Sequence, residues 1–357
     1  MTRLLAGLLL GLVAACGGGR SIESADLGSA AGSTTVERTL ARLHDANSHR
    51  DSVMLMAHRG LWMYNGEQHY PEQSRASIEV ARAAGIEGVE LDVRVTRDGQ
   101  FVILHDDTLD RTTSCTGSIR DFDWHELRDC RLTIVRADGS RLISDESIVT
   151  LEEAYALAKD HLLINLDNKI GNDYYPALFE LAIEYEVDHQ ILASVSMNTR
   201  AERQSGYALV AEWQNSRINF MPVITDAAYD FREHLIGLRD DYAVFEEILQ
   251  TVRPTVVQVL NAWSAPQNPT QDGGFFFTQQ ASALCETYNT HRWMNTLYAD
   301  PAGRRSGGRG DEKAVAEGQP DEVWGWWYRA GVTLFQTDEP QLASDFLVGA
   351  GYRTISP

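Results

Sequence analysis

The sequence predicts an α/β domain of the (β/α)8 TIM-barrel class, and three observations support this prediction. The chain has 357 residues, which accommodates a barrel domain of about 250 residues once the termini are set aside. From Val53 onward, apolar strand-like segments alternate with amphipathic segments, as in a parallel α/β domain. Charged residues follow several apolar segments, and a barrel collects its functional groups at the carboxyl ends of its strands. A doubly wound open sheet is the alternative, but no glycine-rich dinucleotide fingerprint follows the first strand.

Nine segments are strand candidates for the eight positions of a barrel. They are residues 54–57, 89–93, 101–104, 162–167, 191–195, 219–224, 255–260, 293–298 and 332–336. Residues 76–85 and 173–186 have helical spacing, and a short lead-in helix is expected over 39–49. Residues 106–150 form a small insertion after the third strand. The glycine- and arginine-rich segment 300–317 is a solvated loop or a cationic lid.

The N-terminus has the pattern of an export signal. One basic residue precedes a short apolar run over 4–15, whereas a membrane span needs about twenty apolar residues. Val13-Ala14-Ala15-Cys16 resembles the bacterial lipobox, which implies a diacylated Cys16 at the mature N-terminus. A plain signal peptide with an incidental cysteine is the alternative. We therefore predict a lipoprotein signal peptide over 1–15, acylated Cys16 with a flexible tether and the lead-in helix over 16–50, and the barrel domain over 51–357.

Composition restricts the partners of the chain. The formal net charge is −20, which argues against general affinity for nucleic acid or anionic lipid surfaces. The membrane is therefore reached through the lipid anchor only, and no protein partner is inferred. Gly17 rather than aspartate follows Cys16, which in a Gram-negative envelope would imply transport to the outer membrane. We therefore expect an exported envelope lipoprotein on the outer membrane, facing the periplasm, although the sequence does not itself give the orientation of the anchor.

Two histidines, an arginine and two carboxylates lie within three short stretches of the chain. His58 and Arg59 follow one apolar segment, and His105 follows another. Glu90 and Asp92 alternate with apolar residues, so a strand aims both carboxylates the same way. Two carboxylates side by side in a sheet repel each other and lose hydration unless a cation or a proton compensates them. The sequence therefore predicts a hard divalent cation between two histidines.

These motifs, in this order, resemble the signature of the glycerophosphodiester phosphodiesterase family. Other stretches that resemble family motifs are Pro71-Glu72-Gln73-Ser74, Thr96-Arg97-Asp98-Gly99, Arg111-Thr112-Thr113, Thr150-Leu151-Glu152-Glu153-Ala154 and the closing segment 331–340. The resemblance is dense from His58 to Lys169, thin over 194–300, and resumes near Gly331. We therefore expect the surplus strand candidate to be 219–224 or 255–260.

The resemblance implies a role for each matched residue. His58 and His105 become the acid and base, in an order that the sequence leaves open, and Arg59 and Lys169 bind the phosphate. Glu90 and Asp92 become metal ligands; an inward salt bridge with the arginine or lysine is the alternative.

The third ligand departs from the family pattern. The family carries Glu-x-Lys on the next strand, whereas this chain has Asp167 two residues before Lys169. An oxygen-only ligand set selects one Ca²⁺ or Mg²⁺ ion.

Two further residues are expected to support the site. Glu72 is expected at the site rim, orienting Arg59, or at a helix N-terminus. Trp293 is expected on the pocket floor or in the core.

The implied activity is metal-dependent hydrolysis of a glycerophosphodiester to sn-glycerol 3-phosphate and an alcohol. One alternative is a lysophospholipase D or a sphingomyelinase D-like lipid phosphodiesterase. Another is a non-catalytic envelope lipoprotein on a decayed barrel. The longer segment after Gly60 carries Trp62, Tyr64, His69 and Tyr70, which are candidates for a wall that selects the alcohol.

Three cysteines remain after Cys16. Export permits disulfides, and Cys115 and Cys130 are close in sequence, so we expect a possible disulfide between them. Cys285 is then a buried free thiol.

Overall fold

A closed barrel of eight parallel strands forms the centre of the computed structural model, which describes residues 34–136, 138–226, 242–262, 268–298 and 305–355. The strands are β1 (Met54–His58), β2 (Gly88–Val95), β3 (Leu163–Asn168), β4 (Ile191–Ser196), β5 (Asn219–Asp226), β6 (Val256–Asn261), β7 (His291–Asn295) and β8 (Leu334–Thr337). Each strand pairs in parallel with the next, and β1 pairs with both β2 and β8, which closes the barrel. The predicted (β/α)8 class is confirmed.

Helices surround the barrel and pack their apolar sides against it. The α-helices in the described ranges are α1 (Thr35–His44), α2 (Arg75–Ala83), α3 (Trp124–Leu127), α4 (Leu151–Ala158), α5 (Tyr175–Glu184), α6 (Arg200–Glu212), α7 (Tyr242–Val252), α8 (Gln279–Thr287), α9 (Asp311–Val315), α10 (Trp326–Arg329) and α11 (Pro340–Gly349). Thr150 and Thr199 begin α4 and α6 with reciprocal capping boxes. Among these helices, none combines the length and apolar character needed to cross a bilayer.

The surplus strand candidate lies elsewhere than the sequence suggested. Residues 219–224 and 255–260 both belong to barrel strands, so the expectation that one of them was surplus is wrong. The extra strand is Phe101–Ile103, which pairs antiparallel with β2. Only residues 96–100 separate these two strands, and a parallel neighbour needs a crossover of about a dozen residues or more. The segment must therefore turn back as a hairpin.

Helix α1 covers the amino-terminal end of the barrel. Its buried Val36 and Leu43 join an apolar cluster with residues at or near the starts of most strands: Met54, Met56, Leu163, Leu192, Met221, Val256, Trp293 and Leu334. Thr34 caps the helix, which begins and ends earlier than the expected 39–49. Because α1 fills the barrel bottom, it packs as part of the barrel, whereas the sequence analysis grouped it with the tether.

The insertion over 106–150 has a small core of its own. Antiparallel strands Arg131–Val135 and Arg141–Ser147 and helix α3 lie beside the hairpin from β2. Their apolar cluster comprises Val102, Leu104, Leu109, Ile119, Leu127, Cys130, Leu132 and Ile148. The predicted disulfide between Cys115 and Cys130 is present, with Cα atoms 5.6 Å apart, and Cys285 is a buried free thiol.

Removal of the disulfide by Cys115→Ser/Cys130→Ser is expected to lower the free energy of unfolding by about 3 kcal/mol, because the bridge restricts a loop of about fifteen residues in the unfolded chain. Urea unfolding of the oxidised parent and the double variant measures this difference. Cys285→Ala, which leaves the bridge intact, is the control for cysteine replacement. An identical urea midpoint for parent and double variant would contradict the expectation.

Candidate active site

The residues singled out in the first half of the sequence meet at the carboxyl ends of β1, β2 and β3. In the strand register, His58 of β1 lies beside Glu90 of β2. Asp92 of β2 lies beside Asp167 of β3. Parallel strands present their carboxyl ends at one face of the barrel, and this is the face on which barrel enzymes build their sites. The strand pairing therefore assembles three separate sequence motifs into one cluster.

Three carboxylates form a site with the composition of a hard-cation site. Each of Glu90, Asp92 and Asp167 offers an oxygen atom within 4.8 Å of the others. Glu90 and Asp92 are buried, whereas the Asp167 side chain is 42% exposed. Burial, together with the charges of the other two carboxylates, raises the pKa of Glu90 well above its ordinary value. Burial and the neighbouring negative charges therefore disfavour the ionised form of Glu90.

Two cations already contact part of this cluster. Lys169 Nζ lies 3.0 Å from an Asp92 oxygen and 2.7 Å from an Asp167 oxygen. Arg59 Nε lies 3.4 Å from the other Asp92 oxygen. Burial raises the pKa of Asp92, but the charges of the lysine and arginine outweigh it and bring this pKa below its ordinary value. The salt-bridge alternative thus applies to Asp92, and Lys169 also pairs with Asp167, whereas Glu90 lies 3.8 Å from His58 Nε2. The three carboxylates together form an all-oxygen donor set, which fits a divalent cation.

A tight turn aims Arg59 into the site. Its backbone has φ 57°, in the left-handed region, and Gly60 follows with φ 83°. A Cβ atom at Gly60 would lie 2.3 Å from Ser77 Oγ, so only glycine fits there. The Arg59 N–H donates to the backbone oxygen of Glu90 at 3.1 Å and to its carboxylate at 3.2 Å. The turn therefore requires glycine at position 60, and Arg59 supplies the positive charge.

His58 is oriented by a carboxylate from the opposite end of the chain. Its Nδ1 lies 2.6 Å from Asp338 Oδ1, and its Nε2 lies 3.8 Å from a Glu90 oxygen. Burial raises the pKa of Asp338, but the charge and hydrogen bond of His58 outweigh it, so this pKa lies below its ordinary value. An ionised carboxylate only accepts hydrogen bonds, so Nδ1 carries the proton in this contact, and Nε2 is the nitrogen nearer Glu90.

The hairpin formed by β2 and Phe101–Ile103 brings His105 beside the carboxylates of β2. Leu104 N donates to Asp92 O at 3.0 Å, which places the next residue beside the site. The His105 Nδ1 contacts Asp106 at 2.7 Å, and the ring is partly exposed. Burial and then the Arg59 charge lower the pKa of His105. Both histidines therefore have a carboxylate on Nδ1.

A chain of charged groups connects His105 to Arg59. Arg111 contacts Asp106 at 2.7 Å and donates to both Glu72 oxygens, at 2.8 and 2.7 Å. The same Glu72 carboxylate, which is 3% exposed, accepts from Arg59 at 3.0 Å. Glu72 thus lies between two arginines and contacts Arg59, which agrees with the expectation that it orients this arginine. The other expected role, at a helix N-terminus, is taken by Ser74, which caps α2.

Trp293 lies in the barrel core and belongs to the apolar cluster that α1 covers. Its Nε1 donates to Asn295 Oδ1 at 2.6 Å, and Gln258 donates to the same oxygen at 2.9 Å. This is the core position that the sequence analysis gave as the alternative to a pocket floor.

Two further segments that the sequence offered for the site have defined contacts. Met63–Tyr64 and Glu67–Gln68 form a short hairpin carrying part of the aromatic segment, and Glu339 accepts from the N–H groups of Asn65 and Gly66 at 2.8 and 2.6 Å. Arg309, a candidate for a cationic lid, is instead buried, 4.0 Å from the Trp326 ring, and donates to Thr270 O. Arg304 and Cys16 lie outside the described residues.

Sequence reasoning assigned no role to four residues that complete the cluster. Asp338 and Arg111 were visible within family-like motifs. Gln73, which donates to Asp92, was visible in the same way. Asp311 lies in the segment read as a loop or lid, and no motif marked it.

The closed barrel and this charged cluster define the chain as a (β/α)8-barrel protein with an enzyme-type site. Residues 58–204 match the model of the glycerophosphoryl diester phosphodiesterase family. Over this segment the chain is similar to that family. Residues 220–347 match a second model, described as a domain of unknown function.

Relatives named as glycerophosphodiester phosphodiesterases are similar to part of the chain. The glycerophosphodiester phosphodiesterase of Caldanaerobacter subterraneus is 33% identical over 147 residues, covering 40% of this chain and 57% of that protein. Human glycerophosphodiester phosphodiesterase 1 is 39% identical over 117 residues, 32% of this chain and 33% of that protein. The matches to the first relatives span a little over half of their length.

Solved structures share the fold. A glycerophosphoryl diester phosphodiesterase from Parabacteroides distasonis has a TM-score of 0.60 at 20% identity, covering 90% of this chain and 93% of that one. An Oleispira antarctica phosphodiesterase in complex with the product sn-glycerol-3-phosphate has a TM-score of 0.51 at 20% identity, covering 85% and 99%.

Proposed function

We propose that this chain hydrolyses glycerophosphodiesters to sn-glycerol 3-phosphate and an alcohol. The observation that carries the proposal is the meeting of two carboxylate-oriented histidines, a buried arginine, a lysine and three carboxylates at one end of the barrel. The family match over residues 58–204 supports the same chemistry.

The protein groups have complementary tasks in this reaction. One histidine Nε2 takes a proton from the nucleophile, and the other delivers a proton to the leaving alkoxide. The nucleophile is either a water molecule or a substrate hydroxyl, and in the second case water then opens the cyclic phosphate. Arg59 and Lys169 bind the phosphate oxygens, and the guanidinium suits bidentate contact. The carboxylates on the two Nδ1 atoms hold the rings in the required tautomer.

A divalent cation fits the remaining carboxylates. Glu90, Asp92 and Asp167 would hold one Ca²⁺ or Mg²⁺ ion and relieve the excess negative charge around the buried Glu90. Such an ion polarises a phosphate oxygen and offsets the charge that develops in the transition state.

A turnover assay on the purified chain tests the proposal. Glycerophosphocholine, glycerophosphoethanolamine and lysophosphatidylcholine are incubated with Ca²⁺, Mg²⁺ or chelator. A coupled dehydrogenase measures sn-glycerol 3-phosphate from the first two substrates, and a coupled choline oxidase measures the choline that cleavage of lysophosphatidylcholine to lysophosphatidate releases. Release of sn-glycerol 3-phosphate from the first two substrates supports the proposal. Turnover of lysophosphatidylcholine alone would favour the lysophospholipase D alternative, and the absence of turnover with all three would refute both.

We propose further that the protein is an exported envelope lipoprotein anchored through Cys16, on the basis of the lipobox-like Val13-Ala14-Ala15-Cys16. Two or more acyl chains anchor a protein stably, whereas a single chain binds reversibly. Cys16→Ala is therefore expected to move the protein from the membrane fraction to the soluble fraction without changing kcat. Cell fractionation with immunoblotting measures the distribution, and Cys285→Ala is the control. A parent protein already found entirely in the soluble fraction would refute the anchor.

A further inference from the structure

The segment that follows β7 delivers a fully buried carboxylate to the end of β8. Asp311 is the first residue of α9 and has no exposed surface. It lies in the part of the chain that matches the domain of unknown function, outside the part that matches the phosphodiesterase family. A buried carboxylate is costly unless hydrogen bonds or charges compensate it, so its contacts indicate what it does.

Asp311 uses both oxygens to join the ends of two barrel strands. Its Oδ2 accepts from the Asp338 N–H and from the Thr337 hydroxyl, both at 2.8 Å. Its Oδ1 accepts from the Thr296 hydroxyl at 2.6 Å and from the Trp324 indole N–H at 3.3 Å. The residue therefore fixes the backbone of Asp338 relative to the segment that follows β7.

The same two segments fix the side chain of Asp338. Tyr298, two residues beyond Thr296, donates its backbone N–H to Asp338 Oδ2 at 2.8 Å. Asp338 Oδ1 then contacts His58 Nδ1 at 2.6 Å. A single path of hydrogen bonds thus leads from Asp311 through Asp338 to the imidazole. Burial, and then the charge of Asp338, raise the pKa of Asp311 well above its ordinary value, as expected for two carboxylates held close together.

We propose that Asp311 is a positioning residue: it fixes Asp338, and through Asp338 it orients His58 for catalysis. The proposal rests on the function proposed above. It also assigns a task to the C-terminal segment, which supplies the support for a histidine that the family-matching segment provides.

A double-mutant cycle distinguishes positioning from a purely structural clamp. Asparagine at position 311 has the size of aspartate, but its amide nitrogen cannot accept hydrogen bonds. One pair of donors therefore loses its Asp311 oxygen: either the Asp338 N–H and the Thr337 hydroxyl, or the Thr296 hydroxyl and the Trp324 N–H. Asp311→Asn is expected to lower kcat about 10-fold with KM within about twofold, because outer-shell partners of catalytic groups have effects of this order. In the Asp338→Asn background the same change is expected to alter kcat by less than about twofold, since the path to the imidazole is already broken.

A matched control and a stability measurement accompany the cycle. Asp321→Asn changes an exposed aspartate in the same segment, one that pairs with Arg329, and is expected to leave kcat unchanged. Thermal melting of each variant separates a loss of fold from a loss of orientation. Equal losses of kcat from Asp311→Asn in the parent and in the Asp338→Asn background would overturn the proposal.

A spectroscopic arm is independent of turnover. The Nδ1 proton of His58 in its short contact with Asp338 is observable by proton NMR and is assigned by its absence in His58→Gln. Asp311→Asn is expected to move this resonance upfield and to speed its exchange with water, whereas Asp321→Asn leaves it in place. An unchanged resonance in Asp311→Asn would overturn the proposal. If the parent hydrolyses no glycerophosphodiester, the proposed function fails, and this arm still decides whether Asp311 orients the histidine.

Discussion

Replacement of either His58 or His105 with alanine is expected to lower kcat for glycerophosphodiester hydrolysis by about 10²-fold or more. The reaction needs one group to accept a proton and another to donate one. Carboxylates occupy the Nδ1 atoms of both histidines, so Nε2 is the nitrogen that we expect to exchange protons with the substrate. Steady-state kinetics with glycerophosphocholine, together with thermal melting of each variant, measures the effect.

The two alanine variants are expected to differ in stability. His58 is buried against the fully buried Asp338, whereas His105 is partly exposed. Removal of the hydrogen-bond partner of a buried charged group costs about 1–3 kcal/mol or more, because the carboxylate stays buried without its donor. His58→Asn, whose amide N–H can still donate to the carboxylate, separates this structural effect from the loss of proton transfer.

His161→Ala is the matched control, since His161 is exposed between α4 and β3. It is expected to keep the kcat of the parent. A kcat within tenfold of the parent for His58→Ala or His105→Ala would remove that residue from the acid–base pair.

The sequence predicted those features of the site that depend on residues close together in the chain. Glu90 and Asp92 share a face because strand alternation requires it, and the apolar segments show where strands end. Asp338 was visible in the motif Thr337-Asp338-Glu339-Pro340, but its contact with His58 exists only because β8 closes against β1. Local patterns carry no information about such closure, so the residue was noticed without a role.

The antiparallel placement of Phe101–Ile103 follows from the sequence alone, whereas the position of α1 follows from it only in part. The five residues over 96–100 are too few for a crossover, so the antiparallel placement of Phe101–Ile103 follows from chain length alone. The amphipathic character of α1 predicts that its apolar side packs against another apolar surface of the protein. Which apolar surface it covers depends on the barrel bottom, whose side chains come from strands distributed over the whole chain.

Chelation of divalent ions is expected to lower turnover by about 10²-fold or more, because a metal ion at a reacting phosphate contributes several kcal/mol of charge stabilisation. Readdition of Ca²⁺ or Mg²⁺ is expected to restore activity, and calorimetry measures the affinity of the parent and of Glu90→Gln for each ion. The amide carries no charge, so Glu90→Gln is expected to bind either ion more weakly. Undiminished turnover after exhaustive dialysis against chelator would mean that the carboxylates serve as salt-bridge partners only.

Asp167 is the ligand with the least support from its surroundings, and its variants test the site most closely. Its side chain is 42% exposed and already pairs with Lys169, and it is one methylene shorter than the glutamate usual in the family. Ca²⁺ accepts irregular shells of six to eight oxygens, whereas Mg²⁺ requires a near-ideal octahedron. We therefore expect Asp167→Glu to keep substantial activity and shift the affinity or preference between the two ions, and Asp167→Ala to raise the metal concentration required. Asp173→Ala, an exposed aspartate on the segment after β3, is the control. If both Asp167 variants bind metal and turn over like the parent, Glu90 and Asp92 are the only protein ligands among the three carboxylates, and Asp167 serves to hold Lys169 near the phosphate.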